Sequence, residues 1–372
     1  MRIGLHPLWL DSDPYGGIAT YWSALIENLG VLDTRNRYLV YYTNAETARR
    51  GTSYRPPHIE ARVLNADSLW IELPLRLPLD LLRSPVDLLH VQMLAPPWCP
   101  APFVQTINDI AWETNPEVFP RAVLWRLKFL VPRSARRARR IITVSEYSKG
   151  LICERYGVPP ERVVVTPHGV TAGYRPVTDA DRLAQARQRY DLERPFLLHV
   201  GKLQARKNLV RLVQAFKRGV VAAGLPHVLA LVGPRTWMSD EIFEEIERQG
   251  VGDRVVVVGE VPVEDLPTLY SAAELFVFPS LAEGFGLPPL EAMTCGTAVM
   301  SSSASSLPEV VGDAGILVDP YDVDAMAEAM VEVLRDDGVR AHLVARGLER
   351  ASTFSNENMA RLTMAAYEAA LR

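Results

Sequence analysis

Two glutamates with seven residues between them, Glu283 and Glu291, bracket the run Gly284-Phe-Gly-Leu-Pro-Pro289. An ionised carboxylate accepts several hydrogen bonds at once, which suits the vicinal hydroxyls of a sugar or a ribose. Gly284 and Gly286 let the backbone approach a ligand closely. Pro288 and Pro289 pre-set the first turn of a helix, whose N-terminal amides and positive dipole end favour an anion. The chemistry implied is the capture of a ligand that carries both hydroxyls and phosphate. Taken singly, each residue has a plainer reading, Glu291 as a helix cap and Glu283 as a solvated loop residue.

A second group lies upstream, in Leu198-His-Val-Gly201-Lys202-Leu-Gln-Ala-Arg206-Lys207-Asn208. A strand ends in glycine, and three cations crowd the loop before the next helix. Lys202, Arg206 and Lys207 are placed to neutralise a diphosphate, with a solvated charge cluster as the alternative. Two further strand ends, Leu231-Val-Gly233-Pro and Val258-Gly259-Glu-Val261-Pro, are expected at the same side of the sheet. In the N-terminal half Gly16-Gly17 opens the first long helix, where its amides suit a phosphate or simply cap the helix. Thr106-Ile107-Asn108-Asp109 and Val165-Thr-Pro-His168-Gly-Val are polar strings at strand ends.

The elements that must position these groups alternate along the whole chain. Apolar runs at residues 3–5, 38–42, 88–90, 103–107, 141–144 and 163–166 read as strands, with helical patterns at 17–29 and 123–138 between them. After an irregular stretch near residues 171–178 a second series begins, with strands at 196–200, 228–232, 255–258, 275–278, 298–301 and 316–318. Helices at 209–216, 239–249, 290–294 and 323–334 separate them. Buried strands alternating with helices imply a mainly parallel sheet covered on both faces, and such sheets bind ligands at the carboxyl ends of their strands. A chain of 372 residues accommodates two such domains. We place them at 1–173 and 174–355, with an amphipathic helix at 356–372 expected to pack back on the first.

Composition narrows the classes. A net charge of −4 offers no general attraction to nucleic acid. Cys99, Cys153 and Cys295 are too scattered for a metal site and read as reduced thiols. No Gly-x-Gly-x-x-Gly follows a strand and no P-loop is present, which removes the main support for a nicotinamide, flavin or nucleotide-hydrolysing enzyme. No apolar stretch reaches the ~20 residues needed to span a bilayer. The arginines at 133, 136, 137, 139 and 140 suit either anionic lipid headgroups or a solvated helix face. The apolar, proline-rich stretch 69–82 suits either an acceptor groove or a core.

The Glu283-x7-Glu291 string with its Gly-Phe-Gly-Leu-Pro-Pro core resembles the signature of the large retaining GT-B glycosyltransferase family that includes bacterial mannosyltransferases. The resemblance extends over nearly the whole chain and is diffuse between residues 30 and 85. It implies two Rossmann-like domains facing a central cleft, the first on the acceptor side and the second holding a nucleotide-diphosphate hexose. By the same resemblance Glu291 holds the ribose, and Glu283 with the backbone of Phe285, Gly286 and Leu287 holds the hexose and its phosphate. Lys207, and less directly Arg206 and Lys202, face the diphosphate; Val261 touches the base; Gly16 and Gly17 face the donor phosphate.

The implied activity is transfer of a hexose from a GDP- or UDP-sugar to a glycan or lipid-linked acceptor, in the cytoplasm or at the inner face of the membrane, without a cofactor. It is expected to be metal-independent. The chain departs from the pattern at Asn108, where the family usually has a histidine lining the sugar, and at His168, where it usually has asparagine. The departure keeps alternatives open: a catalytically weak sugar-nucleotide binding subunit, or an epimerase of the same fold.

Overall fold

The computed structural model describes residues 1–8, 17–50, 56–66, 68–116, 121–236 and 239–372. The chain divides into two compact units, one of Met1–Thr171 with Ser355–Arg372 and the other of Ala172–Phe354.

The first unit is built on β1 (Arg2–His6), β2 (Arg37–Tyr42), β3 (Ile59–Val63), β4 (Leu88–Gln92), β5 (Phe103–Thr106), β6 (Arg140–Thr143) and β7 (Val163–Val165). They form one parallel sheet in the order β3-β2-β1-β4-β5-β6-β7. The middle strands β4 and β5 are buried throughout, so both faces carry apolar side chains and both are covered. One face packs under the helix Gly17–Leu32 through Tyr21, Trp22, Leu25 and Leu29. The C-terminal helix Asn356–Leu371 joins that same layer, burying Met359 and Tyr367. Its start is clamped: the Gly169 N–H donates to Asn356 Oδ1 (2.9 Å) and Asn356 Nδ2 donates to the Val170 carbonyl (3.1 Å).

The second unit is built on β8 (Phe196–Val200), β9 (Val228–Val232), β10 (Val255–Gly259), β11 (Leu275–Phe278), β12 (Val299–Ser302) and β13 (Ile316–Val318). All pair in parallel, in the order β10-β9-β8-β11-β12-β13. Strand order therefore reverses between β8 and β11. At such a switch point the loops leaving the two central strands turn away from each other and open a crevice. Those loops are 201–208 and 279–286, the two that carry the charged residues singled out above.

Both sheets agree with the alternation of the sequence, and the differences are local. The helix expected at residues 290–294 begins at Leu287, because Gly286, at φ 125°, turns the chain and the two prolines lie inside the first turn. The additions to the expected list include the strand β3 and the helices Glu146–Tyr156, Ala180–Arg189, Leu266–Ala272 and Asp337–Ser352.

Candidate functional site

In the second unit the two switch-point loops are stitched together before any side chain is considered. The Leu281 N–H donates to the Arg206 carbonyl (2.9 Å), and Ser280 Oγ lies 3.1 Å from the same oxygen. Asn208, in the left-handed region at φ 61°, donates from Nδ2 to the carbonyls of Pro279 (3.1 Å) and Pro320 (2.6 Å). This scaffold brings three charges to one place. Glu283 Oε2 lies 2.7 Å from Arg206 Nη1, and Glu283 Oε1 lies 2.7 Å from Lys207 Nζ. Ser280 Oγ donates to Glu283 Oε1 as well (2.5 Å). Lys207 also stands over the Phe278 ring, 4.6 Å from its centre.

Burial alone would raise the Glu283 carboxyl, but the charges of Arg206 and Lys207 with the Lys207 and Ser280 hydrogen bonds outweigh it and bring it down to about 2. At neutral pH the group is a carboxylate, and the trio carries one net positive charge. His199 backs it. Its Nδ1–H donates to the Val277 carbonyl (3.0 Å), and burial lowers the imidazole to about 4, so the ring is neutral. Its buried Nε2 has no hydrogen-bond partner among the described residues.

Glu291, one helix turn into Leu287–Thr294, has a different environment. Tyr270 OH donates to its Oε2 (2.8 Å), and Tyr174 bonds it too. Burial outweighs both hydrogen bonds and raises the carboxyl to about 7. The two glutamates thus differ sharply in charge at neutral pH, because only Glu283 has cations beside it. Pro288 and Pro289 carry no N–H, so the donors left at the helix end are those of Gly286 and Leu287. A Cβ at Gly286 would lie 2.8 Å from Leu307 Cδ2, which with the positive φ requires glycine there. Phe285 is buried edge-on against Phe354.

Lys202 lies exposed on the same loop as Arg206 and Lys207. Val261 is half-buried just beyond β10, the edge strand, and no contact among the described residues joins it to the charged trio. Gly17 begins the first long helix, while Gly16 lies outside the described residues.

In the first unit Asn108 follows β5 and ends a buried chain of hydrogen bonds. Trp22 Nε1–H donates to Gln92 Oε1 (2.8 Å), and Gln92 Nε2 donates to Asn108 Oδ1 (3.1 Å). Indole nitrogen is only a donor, so the Gln92 amide has one orientation and Asn108 must accept through its carbonyl. The Asn108 NH₂ is the end left for other partners. Beneath this chain His90 bonds Thr106 Oγ1 (2.6 Å) and Tyr367 OH (2.7 Å), and Tyr21 stands edge-on to His168. Burial lowers His90 to about 3 and His168 to about 4, so both are neutral.

The sequence reading missed Gln92, Trp22, Tyr270 and Tyr174. A glutamine at the buried end of β4 was the available signal for the first. It also missed a buried pair at the end of β1, His6 Nε2 with Glu72 Oε1 (2.7 Å). Among the arginines of the basic run, Arg136 donates to the Tyr156 carbonyl (2.9 Å) and Arg137 to that of Pro97 (2.8 Å), which gives both a structural role. No group of three or more His, Cys, Asp or Glu that could hold a metal occurs among the described residues.

Residues 182–350 match the family described as Glycosyl transferases group 1, and residues 15–173 match Glycosyltransferase Family 4. O-antigen chain mannosyltransferase B of Escherichia coli is 39% identical over 266 residues, covering 71% of this chain and 70% of that protein. The chain belongs to the group 1 glycosyltransferases. Another relative, the serotype-specific mannosyltransferase WbdA of Escherichia coli, is 33% identical over 235 residues, 61% of this chain but only 28% of that longer protein. Among solved structures, sucrose-phosphate synthase from Thermosynechococcus elongatus superposes with a TM-score of 0.77 at 22% identity, over 99% of this chain and 98% of that one. Anabaena HepE in complex with UDP and glucose gives a TM-score of 0.77 at 20% identity, over 99% of both chains. At these identities the likeness establishes the GT-B fold and nothing finer.

Proposed function

We propose that this glycosyltransferase moves a hexose, with retention of configuration, from a GDP- or UDP-sugar to a hydroxyl of a glycan or lipid-linked acceptor. The observation that supports it most is the Arg206–Lys207–Glu283 trio at the β8/β11 switch point. Arg206 and Lys207 face the donor diphosphate, helped by the amides of Gly286 and Leu287, and Glu283 takes hexose hydroxyls as an acceptor-only carboxylate. Glu291 holds the ribose, with Tyr270 and Tyr174 fixing its position. The mannosyltransferase relatives favour a mannose donor.

In the reaction the bond from the anomeric carbon to the diphosphate oxygen breaks. The acceptor oxygen bonds that carbon on the same face, and the acceptor proton passes to the departing phosphate. The cations offset the charge that develops there, a role worth ~100-fold or more per donor. They also supply positive charge that many transferases take from a divalent ion, which favours metal-independent transfer.

Lys207→Ala is expected to lower turnover about 100-fold or more, and Lys202→Ala to do far less. The measurement is initial rate of nucleotide release from GDP-mannose and other GDP- and UDP-hexoses with acceptor present. A larger loss for Lys202→Ala would contradict the assignment of the loop.

A further inference from the structure

The segment 69–83 folds as one continuous helical stretch in the first unit, with a wider turn at Glu72–Arg76. Leu73, Leu77 and Leu81 point into the core. The opposite side is apolar too: Trp70 is 62% exposed, Leu75 51% and Leu82 52%. A helix with apolar residues on both sides belongs inside a larger apolar environment, yet the outer side chains of this one stand exposed. Its two acids are both turned away from that face. Glu72 is buried against His6, and Asp80 is held by Arg62 (2.8 Å). Arg76 and Arg83 remain as the outer charges.

The helix Arg121–Arg137 repeats the arrangement. Trp125, 69% exposed, stacks on exposed Phe129 with ring centres 5.4 Å apart. It has six basic residues and no acidic one, in a chain whose net charge is −4. Arg133 lies 3.5 Å from the centre of the Phe129 ring, and Arg126 lies 5.1 Å from that of Trp70. That last contact joins the two helices into one surface. No helix among the described residues is long and apolar enough to cross a membrane.

We infer that this surface docks the protein peripherally onto an anionic lipid bilayer, with Trp70, Trp125 and Phe129 entering the headgroup region and Arg76, Arg126 and Arg133 facing the lipid charge. Tryptophan and arginine side by side, with the acids of the first helix turned away and none within the second, match an interface that is apolar on one side and negatively charged on the other. A protein partner would need only the apolar half of that match.

The test is flotation of the full chain with vesicles of phosphatidylglycerol in phosphatidylcholine, against pure phosphatidylcholine. Binding to the anionic vesicles should be about tenfold or more tighter, and should weaken as salt rises. The double variant Trp125→Ser, Phe129→Ser should lose about tenfold or more in vesicle affinity with its Tm unchanged, both side chains being exposed. Failure of the wild type to float with anionic vesicles would overturn the inference, as would equal flotation of the double variant. So would a lipid-free dimer, seen by light scattering, that the double variant abolishes; the surface would then belong to a second copy of the chain.

Discussion

Glu283 and Glu291 share a motif and respond oppositely to pH. Glu283 titrates lower in the folded chain than in the unfolded one, so its contribution to stability is present above the ordinary glutamate range and is lost as pH falls towards about 2. Glu291 titrates higher when folded. The folded chain keeps that proton while the unfolded chain releases it, so stability falls as pH rises from about 4.5 to about 7. Glu291→Gln removes this loss, on the order of 3 kcal/mol at about 1.4 kcal/mol per pH unit. The variant's Tm, relative to wild type, should therefore be higher at pH 8 than at pH 5, while its affinity for free GDP or UDP falls. Parallel Tm curves with unchanged nucleotide affinity would remove Glu291 from the site. Asn108 gives a second prediction. With His90 and His168 neutral around it, the wild-type rate should have no limb from this cluster near neutral pH. Asn108→His should add one near ~6.5 and alter which donor sugar is accepted. Identical pH–rate profiles and identical donor preference would show that residue 108 does not face the sugar.

Among the elements, the strands leading to the site were the most legible, because β8, β9 and β11 are apolar almost throughout and end in glycine or proline. The strand β3 escaped because Glu60, Ala61 and Arg62 on an edge position are exposed and leave only one buried residue, Ile59, as a signal. The helix Asp337–Ser352 escaped for another reason. Gly347 sits in its middle, where propensity argues against a helix, yet a Cβ there would come 3.2 Å from Met293 Cγ, so close packing on the helix Leu287–Thr294 selects glycine. The stretch 69–82, whose composition suits either a groove or a core, is core on one face and exposed on the other. The C-terminal helix was legible from its period, but its anchor was not. A Cβ at Gly169 would collide with the backbone of Ser355 and Asn356. Gly169→Ala should therefore loosen the clamp and cost about 1–3 kcal/mol, measured by denaturant unfolding. Unchanged stability would mean that the helix start adjusts freely.

Over the whole molecule, the two series of strands foretold two parallel sheets, and the charged loops fell at the strand-order reversal of the second because both flank its central strands. What the sequence did not carry was partnership at long range: Lys207 meeting Glu283 across 76 residues with Arg206 beside it, or Trp22 orienting Asn108 through Gln92. Those pairings arise from sheet order, which spacing along the chain does not encode. The central claim, retaining transfer from a nucleotide sugar, is tested most directly by proton NMR of the product formed from a GDP- or UDP-α-hexose. The account predicts consumption of the donor and an α-linked product, read from its one-bond C1–H1 coupling. A β-linked product, or no consumption of any donor with acceptor present, would contradict it.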